Sequence, residues 1–328
     1  MTQANPDILV VGGAGYIGSH VVKALRDAGR QPIVFDNLST GLRENLFPEI
    51  PFIHGDLMIP EQIHEAMKDV RAVIQLAALK AAGDSMVEPE RYALHNLNGT
   101  VNLLNAVTTE GVQHFVFSSS AAVYGDPQYL PLDEDHPTKP ANFYGQTKLQ
   151  IETLLLWFSR LKNMRYASLR YFNAAGYDPQ GEVRGLEKEP NNLLPLVLET
   201  ILGWRDTLEV YGTDYDTTDG SCIRDYIHVS DLADAHVKAL DYLEKEDQDL
   251  VVNLGTSKGI SVLEVLEAAR RVSGVEIPVT LSNRRPGDPA VVLASAEKAE
   301  RLLGWRPQFS DVETLLETML SAYRSHLN

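Results

Sequence analysis

The sequence predicts an α/β protein: a doubly wound parallel sheet followed by a smaller C-terminal α/β domain. Three observations carry this. Short apolar runs alternate with amphipathic stretches through the first half, a glycine-rich turn follows the first run, and beyond about residue 174 the alternation weakens while Pro and Gly punctuate longer loops. The runs Ile8–Val11, Pro32–Phe35, Pro51–His54, Ala72–Leu76, His114–Ser118 and Tyr166–Arg170 read as strands, being short, rich in Val, Ile and Phe, and bounded by Gly, Asp or Ser. Between them, helices are expected at about 15–29, 60–69, 89–109 and 143–162. Further helices are expected near 193–204, 230–245, 261–273 and 311–326. Residues 1–174 are therefore expected to form the first domain and 175–328 mainly the second, with some later segments returning to the sheet.

Composition excludes several classes of function. With 29 Lys and Arg against 45 Asp and Glu, the formal charge is −16. No basic stripe opposes that field, so nucleic acid is not an expected partner. Cys222 is the only cysteine, which rules out a disulfide within the chain. The lone thiol is read as a small buried filler, and no metal is expected. No apolar run approaches a membrane span and no secretory leader is recognisable, so the expectation is a cytoplasmic protein with no membrane partner.

After the first run the chain reads Gly12-Gly13-Ala14-Gly15-Tyr16-Ile17-Gly18, with Gly12, Gly15 and Gly18 immediately before a helix. Such a turn lets backbone N–H groups approach a pyrophosphate, which then sits at the positive end of the helix dipole. Close strand–helix packing alone would also ask for glycine here. Support for the first reading comes from Asp36, which ends the second run. A carboxylate there can accept both hydroxyls of an adenine ribose and repels a 2′-phosphate, so NAD is expected rather than NADP. Asp56, after the third run, is similarly placed to meet the adenine.

A second cluster follows the fifth run, Ser118-Ser119-Ser120, joined later by Tyr144 and Lys148, which share one helix face. A phenol titrating near about 10 is a poor base at neutral pH, but a nearby ammonium and a positive nicotinamide ring both favour phenolate. Tyr144 is the candidate proton acceptor. Lys148 would tune it and bond the nicotinamide ribose, and Ser120 would hold the reacting hydroxyl. A lone Tyr-x-x-x-Lys arises by chance on exposed helices; the glycine turn and the serine run give it force.

At this point the chain resembles the extended short-chain dehydrogenase/reductase superfamily, whose cofactor domain is Rossmann-type, and within it the UDP-galactose 4-epimerases. The resemblance covers roughly residues 8–310 and rests on Gly12–His20, Asp36–Leu38, Leu79–Ser85, Ser118–Asp126, Tyr144–Lys148, Tyr171–Gly176, Asn191–Pro195, Gly212–Val229 and Arg285–Pro289. It implies that Tyr16, Ile17, Asn37, Leu57, Leu76, Ala77, Ala78, Lys80, His95 and Phe172 join the glycines and the two aspartates around NAD. It further implies that Asn173, Asn192, Leu193, Arg224, Arg285 and Asp288 hold a UDP-sugar, with Val210 and Tyr211 against the uracil. A homodimer, pairing through the helices near 89–109 and 143–162, is also implied.

Elementary chemistry is consistent with that set but leaves alternatives open. Arginine offers two parallel hydrogen bonds to phosphate, which an acidic protein must concentrate locally. Arg224 and Arg285 fit, yet either could instead pair with Asp225 or Asp288. Asn173 and Asn192 suit turns and caps equally well, and Val210 and Tyr211 suit plain core packing. Relatives that eliminate or decarboxylate resemble one another in having acidic residues just after the active-site serine; here stand Ala121 and Ala122. Simple return of hydride is then the expected fate of a 4-keto sugar. Four departures from the epimerase pattern are Val11, His95, Ala122 and Val292. The last replaces a bulky Tyr and leaves room for an acetamido group. The expectation is thus an NAD-dependent 4-epimerase of UDP-glucose and UDP-galactose. UDP-N-acetylhexosamine or UDP-glucuronate are alternative substrates, and an NAD-sensing regulator is the non-enzymatic alternative.

Overall fold

Strand β1 (Ile8–Val11) runs in the interior of a seven-stranded parallel sheet, in a computed structural model that describes residues 7–188, 190–285 and 288–327. On one side lie β2 (Pro32–Asp36) and then β3 (Phe52–His54). On the other lie β4 (Ala72–Gln75), β5 (His114–Ser120), β6 (Arg165–Tyr171) and, at the edge, Leu250–Leu254. All six expected strands are present. The chain winds outward from β1 through β3, crosses back to β4, and winds outward the other way, so a crevice opens where the carboxyl ends of β1 and β4 diverge.

Side chains of each strand alternate between two apolar layers. Ile8, Val10, Val34, Ile74 and Val116 face one; Leu9, Val11, Ile33, Phe35, Val73 and Phe117 face the other. Helix α1 (Tyr16–Asp27) covers the first face through Val21, Val22 and Leu25, packed beside Val229–Glu246. Pro60–Ala66, Gly99–Glu110 and Phe143–Lys162 cover the second, through residues such as Ile63, Leu103 and Leu155. The helix Val229–Glu246, the edge strand and Trp305 all come from beyond residue 174, yet belong to the first core. A second core gathers the helices Leu193–Ile201, Val262–Ser273 and Val312–Arg324. Beside it Leu208–Tyr211 pairs in parallel with Val279–Ser282.

One expected element is divided. The helix anticipated over 89–109 begins as Pro89–Tyr92, widens into a π-helical turn over Ala93–Asn98, and resumes as Gly99–Glu110. Among the described residues no helix is long and apolar enough to cross a membrane.

Candidate active site

The glycine turn is built by crowding. Gly12 has φ +83°, and a Cβ there would lie 2.7 Å from the Ala77 nitrogen; a Cβ on Gly18 would lie 2.0 Å from the Gly12 carbonyl oxygen. Only hydrogens fit where β1, α1 and the end of β4 converge. Gly15 caps α1 without a side-chain acceptor, and no acidic residue occupies its first turn. The positive helix end therefore stays unneutralised and suits an anion.

Asp36 closes the far wall. Its Oδ2 accepts from the Ala14 N–H at 3.0 Å and its Oδ1 from Leu38 N–H at 2.8 Å. Each oxygen keeps a lone pair for a ribose hydroxyl. Burial pushes this carboxyl up, and the two backbone donors oppose it. Asp56 is bridged to Asn37 (Nδ2 to Oδ2, 3.0 Å) and accepts from Met58 N–H at 2.8 Å.

These groups border a cleft of about 380 Å³ over the crevice. Every residue expected to hold the cofactor lines it except Phe172. Phe172 instead packs with Val292 against Val123, Tyr124 and Leu132, behind Tyr171, which does line the cleft. The donor set, the glycine crowding and the helix end together fit a dinucleotide with an unphosphorylated adenine ribose. The sequence reading missed Asn45, which also lines the cleft. It is buried, donates to Ala14 O at 3.2 Å and accepts from Gly185 N–H at 2.8 Å, tying the glycine turn to a loop of the second half. Nothing in its local sequence marks it, because both partners are remote.

The serine, tyrosine and lysine meet at one end of β5. Ser120 caps the short turn Ala121–Val123, accepting from Ala122 N–H at 3.2 Å. The helix Phe143–Lys162 presses on that turn so closely that a Cβ on Gly145 would lie 2.3 Å from Ala122 O. Its start is fixed twice, by Asn142 accepting from Gly145 N–H at 2.9 Å and by Ser85 Oγ accepting from Tyr144 N–H at 3.0 Å. Tyr144 is thereby held against Ser120. Lys148, one turn on, is 3% exposed, donates to Ser118 O at 2.7 Å, and sits 5.7 Å from the Tyr144 ring centroid.

Burial dominates the electrostatics of this pair. Burial pushes the Tyr144 phenol well above its usual range; Tyr171 adds to the rise and Ser120 opposes it. Burial likewise lowers the Lys148 ammonium to about 7, with Glu152 opposing. Lys148 does not by itself make Tyr144 a phenolate, because burial disfavours both charges.

His95 is exposed on the π-turn and borders the cleft. Its neighbour Asn96 is buried and does the bridging: it bonds both ways with Leu79 (2.9 and 3.0 Å) and donates to Thr147 Oγ1 at 3.2 Å. Sequence reasoning attended to His95 and missed Asn96.

The residues expected at the sugar nucleotide lie around the short strand Ile223–Arg224, which pairs with Ile260–Ser261 and Val291–Val292. Arg224 forms an ion pair with Asp288 and donates to Ile223 O at 2.8 Å. Of the alternatives left open, the pairing with Asp288 is realised. Asp225 does something else: fully buried, it accepts from Thr256 (N and Oγ1, both 2.8 Å), Ser257 N and Ala294 N, knitting three loops together. Arg285 stacks 3.9 Å over the Tyr211 ring. Asn173 donates to Asp225 O at 2.9 Å. Asn192 precedes the helix Leu193–Ile201, is exposed, and makes no side-chain cap, while Leu193 packs against the second core. Val292 lies beside Arg224 in register. Of the alternatives left open for Val210, core packing is realised by its side chain, which is buried in the second core, so only its backbone remains for a ligand.

A family model described as NAD dependent epimerase/dehydratase family matches residues 8–255. The chain belongs to that family. It is 44% identical to the UDP-glucose 4-epimerase of Halalkalibacterium halodurans over 97% of this chain and 96% of that protein. The crystal structure of UDP-glucose 4-epimerase from Brucella ovis in complex with NAD superposes with a TM-score of 0.94 at 41% identity, covering 97% of this chain and 98% of the other. The UDP-glucose 4-epimerase of Bifidobacterium longum in complex with NAD+ and UDP does so with a TM-score of 0.91 at 36% identity, covering 98% and 99%.

Proposed function

We propose that this member of the family is an NAD-dependent 4-epimerase interconverting UDP-glucose and UDP-galactose. The observation that carries the reading is the convergence of Ser120, Tyr144 and Lys148 at the carboxyl end of β5, beside a cleft whose turn and carboxylate suit NAD. NAD, held by the glycine turn, Asp36 and the other cleft residues, supplies reversible hydride acceptance. Tyr144 takes the proton of the sugar's 4-hydroxyl and returns it after the sugar has turned over. Ser120 orients that hydroxyl. Lys148 holds the nicotinamide ribose and, when protonated, stabilises phenolate. Arg224 and Arg285 bind the pyrophosphate, with Asp288, Asn173 and Asn192 on the rest of the nucleotide sugar. Ala121 and Ala122 put no carboxyl group near C5, so elimination lacks its base and the 4-keto sugar is reduced again.

A second reading concerns the sugar. Val292 is small and packs against Tyr124 and Leu132 beside Arg224, which favours tolerance of a 2-acetamido group. A homodimer is proposed as well. Leu94 lies in the segment 89–110, and Trp157 and Leu161 on the helix Phe143–Lys162; all three large apolar side chains are exposed on the two segments expected to pair. Light scattering of the purified protein checks the mass. The activity is tested by a coupled assay that detects UDP-glucose formed from UDP-galactose, repeated with UDP-GalNAc. Failure on both sugars defeats the proposal, and turnover of the acetamido sugar alone moves it to the second substrate.

A further inference from the structure

Behind the catalytic helix, on the opposite face of β5, lies a buried histidine that the proposed chemistry does not use. His236 is fully buried on the helix Val229–Glu246, and both ring nitrogens are partnered. Nδ1 lies 2.8 Å from Leu232 O and Nε2 lies 2.9 Å from Ser118 Oγ. A carbonyl oxygen can only accept, so Nδ1 carries the hydrogen and Nε2 is a bare acceptor. Ser118 must then donate its hydroxyl hydrogen to His236. Ser118 is itself 1% exposed, and its carbonyl is the group that receives the Lys148 ammonium at 2.7 Å. The His236 ring also stands 6.3 Å from that of Tyr171, which lines the cleft.

We infer that His236 is a positioning residue for the reaction: through Ser118 it fixes the end of β5 and so the carbonyl that anchors Lys148 at the active site. The inference rests on the proposed epimerase reading and deepens it. Three features make the histidine more than filler. It joins a helix from the second half of the chain to the one strand that carries Ser120. Its hydrogen bonds run in a single direction, serine donating to imidazole and imidazole to the helix carbonyl, so Ser118 cannot rotate without leaving a buried acceptor unpaired. Burial lowers its titration to about 4, so it remains a neutral acceptor across the working pH range.

The test compares three single variants, and the double variant His236→Phe with Ser118→Ala, with the wild type in the coupled assay, with thermal melting and bound dinucleotide per subunit measured on each. His236→Phe keeps the ring but removes the acceptor, Ser118→Ala removes the donor, and His236→Gln restores an acceptor. A misplacement of ångström scale predicts that His236→Phe and Ser118→Ala each lower kcat about 10- to 100-fold. KM for UDP-galactose should stay within about twofold, as for an interaction that matters in the transition state alone. The double variant should lose no more than either single one, and His236→Gln should recover most of the rate. The inference is overturned by a kcat within about twofold of wild type in His236→Phe, by additive losses, or by His236→Gln falling as far as His236→Phe. Should His236→Phe not fold, unchanged turnover in Ser118→Ala, which removes one oxygen, overturns it equally. A wild type inert on both UDP-galactose and UDP-GalNAc would defeat the epimerase reading instead, so the two failures are separable.

Discussion

Lys148 is expected to weaken the fold that it serves, and Lys148→Met should melt higher than the wild type. Burial lowers its ammonium from 10.5 to about 7. Relative to the unfolded chain, the buried charge then costs ~4–5 kcal/mol at pH 6.5. Methionine removes that charge at similar volume but leaves Ser118 O without its donor, a loss of ~1–3 kcal/mol. The balance is a gain of ~2–3 kcal/mol, a few degrees in a protein of this size. The sign with pH follows from proton counting. Between about pH 7 and 10.5 the unfolded chain holds a proton that the folded protein has released, so wild-type stability rises with pH in that window. The variant has no such proton; the cost of burying the wild-type charge falls by about half between pH 6.5 and pH 9, so the variant's advantage of ~2–3 kcal/mol should fall to about zero. Thermal unfolding of cofactor-free protein at the two pH values measures this. A variant that melts lower than wild type at pH 6.5, or an advantage independent of pH, would refute the reasoning.

Three further outcomes are expected. Tyr144→Phe should lose turnover by about 10³-fold, within the usual range for an acid–base group, while bound dinucleotide measured by absorbance is unchanged; residual turnover above a tenth would remove Tyr144 from its role. Gly18→Ala drives a methyl to within 2.0 Å of a backbone oxygen, so the turn must open; dinucleotide occupancy of the purified protein should fall about tenfold or more with an unaltered circular dichroism spectrum, and normal occupancy would contradict the turn's assignment. Arg224→Ala should raise KM for the UDP-sugar about 10- to 100-fold, the worth of a charged hydrogen bond, with a smaller change in kcat; an unchanged KM would mean that Arg224 serves only its pairing with Asp288.

The parts of this molecule legible in its sequence are those whose partners are near in the chain. The turn Gly12–Gly18 and the run ending at Asp36 declare strand, turn and helix within a few residues, and the helix 143–162 was bounded as found. What stayed hidden depends on distant contacts. Leu250–Leu254 pairs with β6 across nearly eighty residues, and its apolar pattern alone gives no address in the sheet. The π-turn at Ala93–Asn98 inserts its irregularity where Asn96 bonds to Leu79 and Thr147, a demand that intrinsic propensity does not register. For the candidate site, residue types were legible but pairings were not. Arg224 had two possible acidic partners in sequence and takes Asp288, while Asp225, its immediate neighbour, turns inward to four donors on other loops. For Val210 the sequence left core packing and a ligand contact both open, and its burial in the second core, against distant helices, settles the side chain on packing.

The Arg224–Asp288 pair bears on how so acidic a chain can take a doubly charged nucleotide sugar. With a formal charge of −16 the long-range field repels such a ligand, so attraction must come from local donors. An unpaired guanidinium held half-buried for that purpose would destabilise the protein whenever substrate was scarce. Pairing it with Asp288, itself expected to touch the ligand, avoids the penalty: on the proposed reading the arginine would be satisfied by carboxylate without substrate and by phosphate with it, and the released carboxylate would accept hydroxyl groups of the same ligand. Arg285 follows a similar logic, its cation resting on the Tyr211 ring at 3.9 Å. On the proposed reading, both arginines would wait on partners that cost little to exchange, which would give the site affinity for phosphate without leaving the partly buried Arg224 charge unmatched in either state.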